Sequence, residues 1–239
     1  MRVGVYIDGF NLYYGARGLC GQGRPGWRWI NLRGLANQLA TWQECSVKRI
    51  VYCTARISGA DNPSGAADQD IYLKALIAAN SVDLIEYGSY VSRVKQAPMA
   101  TADAKGRPIL TRSAQPVLVK NAADQPVRDA VFMVSHARRE EKGSDVNVAA
   151  HLLLDVLQSD IDAAIVISND SDLRLPLIEA RKRVSVGTVN PSSSFLAGDL
   201  RGTPTEGAGG HWWAKLRAAD YRAHQLPDQV GAYAKPVGW

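Results

Sequence analysis

The chain has 239 residues, 46% of them hydrophobic and 21% charged, an ordinary globular composition that excludes a disordered chain and leaves room for one decorated domain with a substantial core. Its longest apolar runs, such as Ala163 to Ile167, fall far short of the roughly 20 residues that span a bilayer, so no membrane partner is expected. The net charge of +5 is uneven, because residues 1–60 hold eight Arg or Lys against two Asp or Glu; a basic excess of this kind suits a polyanionic partner or an unliganded solvated face.

The first predicted strand, Val3 to Ile7, follows Met1 so closely that no charged, apolar and cleavage regions fit before it, and a cytoplasmic location is expected. Cys20, Cys45 and Cys53 are odd in number and lack metal-ligand spacing, which predicts reduced thiols in the core. Arg24-Pro25-Gly26-Trp27-Arg28-Trp29 interleaves rings and cations in a way that can stack bases and pair phosphates, or pack Trp under the sheet with Arg reaching outward. Asn31 caps a predicted helix through about Thr41, Val47 to Thr54 is a second strand, Ser64 opens a helix through about Asn80, and Val82 to Tyr87 is a third strand.

From about Lys95 to Asp129 the pattern breaks into Ala, Pro, Gly and Thr, a loop or hairpin insertion in which only Pro116 to Lys120 and Ala130 to Ser135 look extended. A helix is predicted from Ser144 to about Gln158, with Val146, Ala149, Ala150, Leu153, Leu154 and Leu157 as its core-facing stripe. Ala163 to Ser168 is a further strand, Asp172 opens a helix reaching about Lys182, and Val184 to Val189 is a fifth strand candidate. Strands alternating with helices predict an α/β fold with a mainly parallel central sheet flanked by helices in three layers. Residues 1–203 form the expected domain, and 204–239 an extension whose Trp212, Trp213, Tyr221, Tyr233 and Trp239 dock on it or meet a ligand.

The informative feature is a set of acids. Asp8 ends the first strand, and Asp170 and Asp172 follow the strand at 163–168, so both groups sit where open parallel sheets gather their active sites. Asp145 stands in Lys142-Gly143-Ser144-Asp145 at a helix amino end, where the dipole favours an anion. Taken singly, each is an ordinary strand-ending, turn or cap residue. Together, with Asn11 beside the first, they repel unless a cation neutralises them, and hard oxygen donors without a His or Cys cluster suit Mg²⁺ or Mn²⁺. His136, His151, His211 and His224 are scattered and read as structural or exposed, and no Gly-x-Ser-x-Gly elbow is present. Lys142 reads either as a phosphate contact or as a plain surface lysine.

Three ordered motifs, Tyr6-Ile7-Asp8-Gly9-Phe10-Asn11, Lys142-Gly143-Ser144-Asp145 and Ile167-Ser168-Asn169-Asp170-Ser171-Asp172, resemble the NYN-domain family of the PIN-like nuclease superfamily over roughly residues 1–190, outside the insertion. The resemblance implies a PIN-like sheet and an acidic metal pocket that cuts RNA, with Asp8, Asp145, Asp170 and Asp172 as its acids and Asn11 as the accompanying asparagine. Asn169 stands where relatives often carry Gly, which can alter the turn. The expected function is a Mg²⁺- or Mn²⁺-dependent ribonuclease acting on single-stranded RNA, with Asp8, Asn11, Lys142, Asp145 and Asp170 in its catalytic machinery. The alternative is a non-cleaving RNA-binding or regulatory module that keeps the pocket. An aspartyl phosphotransferase wants a second acid where Phe10 stands. A homodimer or an inhibitor protein remains open as a further partner.

Overall fold

A computed structural model describes residues 1–60, 62–105, 107–110, 120–127 and 133–239. In chain order the elements are β1 (Arg2–Asp8), α1 (Gly9–Cys20), α2 (Leu32–Leu39), β2 (Ser46–Ala55), α3 (Pro63–Ala78), β3 (Leu84–Pro98), β4 (Ala100–Ala102), β5 (Pro108–Leu110), β6 (Met133–Lys142), α4 (Ser144–Leu157), β7 (Ala163–Ile167), α5 (Arg174–Arg181), β8 (Ser185–Asn190), β9 (Trp212–Lys215), α6 (Ala218–Ala223), β10 (Gln229–Val230) and β11 (Tyr233–Ala234). Single 3-10 turns lie at Ser171–Leu173 and Gly198–Leu200.

The protein is α/β. Seven strands run in the order β6-β3-β2-β1-β7-β8-β9, and each consecutive pair from β3 to β9 is parallel. Because side chains alternate along a strand, β1 feeds two cores. Val3, Val5 and Ile7 join Leu12, Leu32, Leu35, Tyr72 and Leu76 from α1, α2 and α3 on one face. Tyr6 joins Val148, Leu152, Leu173 and Leu177 from the α4 and α5 region on the other. Burying one such Leu or Ile contributes about 1.5–3 kcal/mol, so the layers are held by apolar burial on both faces of the sheet. Among the described residues no helix is long and apolar enough to cross a membrane.

The chain forms two compact units, Met1–Tyr90 with Glu141–Trp239, and Val91–Glu140. The insertion expected at 95–129 falls within the second, where β4 and β5 pair antiparallel. Of the extended segments expected there, 116–119 and 130–132 lie outside the described residues, and β6 begins at Met133.

Four expectations need correction. A helix that was not expected, α1, follows β1 directly, since Gly9 and Gly15 lie on its buried side and Gly18 interrupts the apolar pattern. The cap of α3 is Asn62, which accepts from the Gly65 N–H, with Pro63 in the first turn where its missing N–H costs nothing. The helix expected to open at Asp172 is a 3-10 turn capped by Asp170 followed by α5.

The fourth correction is the rotation of α4. Ser144, Val148, Leu152, Asp155 and Val156 are its buried residues, while Val146, Leu154 and Leu157 are exposed. Apolar residues occupy most of its circumference, so periodicity does not choose a face. The buried Asp155 carboxylate chooses it, accepting from the Tyr6 hydroxyl at 2.7 Å and pairing with Arg49 at 3.2 Å. Residues 204–239 belong to the first unit and supply β9, the strand beside β8. Of their aromatics, Trp239 packs against Trp29 and Tyr72 with ring centroids 6.3 and 5.7 Å apart and Trp212 against Trp42 at 5.4 Å, while Trp213 is exposed.

Candidate functional site

Parallel pairing puts the carboxyl ends of neighbouring strands side by side. Ile7 of β1 is level with Ile167 of β7, so Asp8 and Ser168 leave the sheet together. Asp8 is 1% exposed and caps α1. Its Oδ1 accepts from the Asn11 backbone N–H at 3.0 Å, and its Oδ2 accepts from Asn11 Nδ2 at 2.6 Å and from Ser168 Oγ at 3.0 Å. Ser168 Oγ in turn accepts from the Asp170 N–H at 3.1 Å, and Asn11 Oδ1 accepts from the Asn169 N–H at 3.2 Å. Asn11 and Ser168 thus stitch the end of one strand to the end of its neighbour.

Asp145 arrives from the other face of the sheet, in the first turn of α4. Gly143 precedes that helix at φ 101°, a left-handed angle that a residue with a Cβ adopts only under strain. The Glu141 carboxylate caps the turn, accepting from the Ser144 N–H at 3.1 Å and Ser144 Oγ at 2.8 Å. Lys142 is exposed between these groups.

The acids feel one another. Burial pushes the Asp8 carboxyl above its ordinary pKa against the hydrogen bonds from Asn11 and Ser168, and the charge of Asp170 pushes it further. Asp145 is raised by burial first, then by the charges of Asp8, Asp170 and Glu141. Cys53, level with Asp8 on β2, is pushed up to about 12 by burial and by Asp8. The structure therefore brings Asp8, Asp145 and Asp170 into one electrostatic neighbourhood with Asn11 beside them. Asp172 stands apart: its side chain is exposed, and its N–H donates to Asp170 Oδ1 at 3.0 Å.

Sequence reasoning missed Ser168, which bridges Asp8 and Asp170, and Glu141, which supplies a further negative charge. The Ser immediately before Asn169-Asp170 was a legible signal for the first; nothing in the run Glu140-Glu141-Lys142 singled out the second. Asn169, which can alter the turn, stands outside the left-handed region. Its side chain fastens the loop that follows β8, donating to Ser194 Oγ and to the Phe195 carbonyl, and accepting from the Ala197 N–H at 2.8 Å.

The carboxylate oxygens are hard donors of a kind that suits a divalent cation, and beside burial the causes that raise Asp145 are the negative charges of Asp8, Asp170 and Glu141. Their spacing is open, since among the described residues no group of three or more His, Cys, Asp or Glu side chains is placed to hold a metal ion.

The Trp27–Trp29 segment does not present its rings. Trp27 and Trp29 are buried, Arg28 lies over the Trp27 ring at 5.0 Å, and Trp29 Nε1 donates to the Pro227 carbonyl at 2.7 Å. The packing alternative holds there. Cys20 and Cys53 are buried free thiols and Cys45 a half-buried one. His211 accepts from the Val186 N–H through Nδ1 at 3.0 Å in the core, and His224 Nδ1 lies 2.9 Å from the Asp220 carbonyl, both structural roles. His136 is exposed, and His151 lies between Arg49 and Glu86.

No family model matches the chain. Among curated proteins it is 27% identical over 264 aligned positions to 6-hydroxy-3-succinoylpyridine 3-monooxygenase of Pseudomonas putida, an alignment spanning 100% of this chain and 75% of that protein. Among solved structures it resembles a protein of unknown function from Vibrio parahaemolyticus at 13% identity and a TM-score of 0.44, over 94% of this chain and 96% of that one.

Proposed function

We propose that the protein is a divalent-metal-dependent ribonuclease with a PIN-like fold, in which Asp8, Asp145 and Asp170 form the acidic pocket. The observation that carries this reading is the meeting of strand ends, where Ser168 ties the Asp8 carboxylate to the Asp170 backbone, together with the charges of Asp8 and Asp170 that both act on Asp145. Holding like charges together costs stability, and a site that retains the cost uses the charge.

Each residue has a role in this reading. Asn11 and Ser168 fix both oxygens of Asp8, so its free lone pairs keep one direction. Asp8, Asp145 and Asp170 would hold Mg²⁺ or Mn²⁺, and Lys142 contacts a phosphate of the RNA. When bound, such a cation supplies positive charge to the phosphodiester and acidity to the attacking water. Asp145, in the first turn of α4, would complete the donor set from the other face of the sheet, where it already feels the charges of Asp8 and Asp170.

The test incubates purified protein with labelled single-stranded RNA and DNA, with and without Mn²⁺, beside Asp170→Asn. Cleavage of RNA that needs the metal and vanishes in the variant supports the reading. Cleavage indifferent to a chelator, or an equally active variant, overturns it, and RNA bound tightly but left intact selects the non-cleaving module.

The likeness to the monooxygenase, over 100% of this chain and 75% of that protein, favours a second reading, oxidation of a pyridine-type ring. Consumption of 6-hydroxy-3-succinoylpyridine with dioxygen and a reductant present, unaffected by Asp170→Asn, would select it.

A further inference from the structure

Asn11 faces two places at once. Its side chain belongs to the acid site, and with Phe10, Tyr14, Gly15 and Ser192 it also lines an open cavity of about 280 Å³. That volume accepts a planar ring, whereas the cavity among Tyr13, Trp27, Arg28 and Tyr72, about 30 Å³, has room for little more than a water.

The walls of the larger cavity are aromatic and held in place. Phe10 stacks near Tyr14 with centroids 6.2 Å apart and meets Tyr90 edge-on at 5.8 Å. Tyr14 is 56% exposed, with the Arg17 guanidinium 6.0 Å from its ring centroid. No carboxylate pairs with Arg17 among the described residues, and α1 carries no acid. Across the cavity, the loop after β8 approaches α1 so closely that a Cβ on Gly15 would lie 2.3 Å from the Pro191 carbonyl oxygen.

That loop is fixed by Asn169 on Ser194, Phe195 and Ala197, by Asn190 on Ser192 and Ser194, and by the Tyr221 hydroxyl on the Pro191 carbonyl. On it Phe195 is 95% exposed. An apolar ring left almost wholly in water on a loop this well fastened, at a residue whose carbonyl is held by Asn169, has no packing role.

We propose that Phe10 and Tyr14 form a stacking platform for an unpaired base of single-stranded nucleic acid beside the acid site, with Arg17 meeting its backbone and the exposed Phe195 ring open to a neighbouring base. Aromatic faces accept any base, and a nearby unpaired cation suits the phosphate that each base carries. The platform deepens the nuclease reading and takes the identity of its ligand from it, but its binding does not depend on cleavage.

The experiment measures anisotropy of a fluorescein-labelled oligouridine with the full chain in EDTA, and of an abasic oligomer of equal length and charge. Tyr14→Ala and Phe195→Ala each weaken oligouridine binding about tenfold, while Tyr14→Phe keeps wild-type affinity because the π-face remains. On the abasic oligomer wild type already binds weakly and Tyr14→Ala changes nothing further. Circular dichroism and melting confirm that the variants, changed only at exposed rings, are folded.

Wild-type affinity in both alanine variants, or an equal loss on the abasic oligomer, overturns the platform. So does displacement of a ring probe such as nicotinate from a protein that binds no oligouridine, which assigns the cavity to a free heteroaromatic acid. Tyr14-dependent binding without Mn²⁺-dependent cleavage leaves the platform standing and removes the nuclease reading; cleavage and binding both untouched by Tyr14→Ala remove the platform alone.

Discussion

Ser168 Oγ donates to Asp8 Oδ2 at 3.0 Å while accepting from the Asp170 N–H at 3.1 Å, so one hydroxyl ties the Asp8 carboxylate to the backbone of a residue 162 positions away in the sequence. Ser168→Ala removes that tie and leaves a buried carboxylate short of a donor. We expect a loss of about 1–3 kcal/mol in urea unfolding together with reduced Mn²⁺-dependent cleavage. Unchanged stability would show that the hydroxyl is not needed to hold Asp8.

The acids differ in what neutralising them does. Asp145 carries a raised pKa, chiefly from burial and then from Asp8, Asp170 and Glu141, so Asp145→Asn relieves repulsion. The metal-free variant is expected to melt about 2–4 °C higher. Asp8→Asn places an amide where both oxygens accept hydrogen bonds, so it gains less or loses stability. Both variants, and Asp170→Asn, are expected to lose RNA cleavage by at least about 100-fold, read in the same assay.

The pH dependence has a definite sign. Asp8 and Asp145 titrate higher in the fold than in the unfolded chain, where a carboxyl titrates near about 3.9. Between that value and their raised ones the native state binds more protons, so their contribution to stability falls as pH rises through the window and is level above it. Asp162 has the opposite sign: Arg2 lowers it to about 2, and its contribution is lost as pH falls toward that value. The melting gap between Asp145→Asn and wild type, measured without metal at neutral pH and in mild acid, is expected to narrow in acid.

Tyr6 tests the rotation of α4 independently of function. Its buried hydroxyl, raised in pKa by burial and by Asp155, is the donor that holds that carboxylate under the helix. Tyr6→Phe is expected to cost about 1–3 kcal/mol in urea unfolding. An unaffected midpoint would mean that Arg49 alone satisfies Asp155.

Gly15 tests the approach of the β8 loop to α1. A Cβ there meets the Pro191 carbonyl, which Tyr221 holds from its other side, so neither partner gives way easily. Gly15→Ala is expected to lower the melting temperature and to weaken oligouridine binding, against a gain if helix propensity alone decided the outcome.

The strands at 3–7, 47–54, 163–168 and 184–189 and the cap at Asn31 were legible from the sequence, because short apolar runs and an N-cap acceptor act through their near neighbours. Alternation with helices gave the parallel sheet for the same reason. Which residues meet across that sheet is a different matter. The face that α4 buries was settled by Tyr6 and Arg49, more than a hundred positions away, and the burial of Trp29 by Tyr72, Pro227 and Trp239. The α1 helix hid behind its glycines, whose use is close approach to β2 and to Pro191 and therefore has no local signature. The ordered acids announced a candidate site, but their shared electrostatics, the Ser168 bridge and the aromatic wall of Phe10 and Tyr14 arise only when strand ends are aligned. A chain's local pattern fixes what each segment can become; long-range pairing fixes which charges and rings face one another.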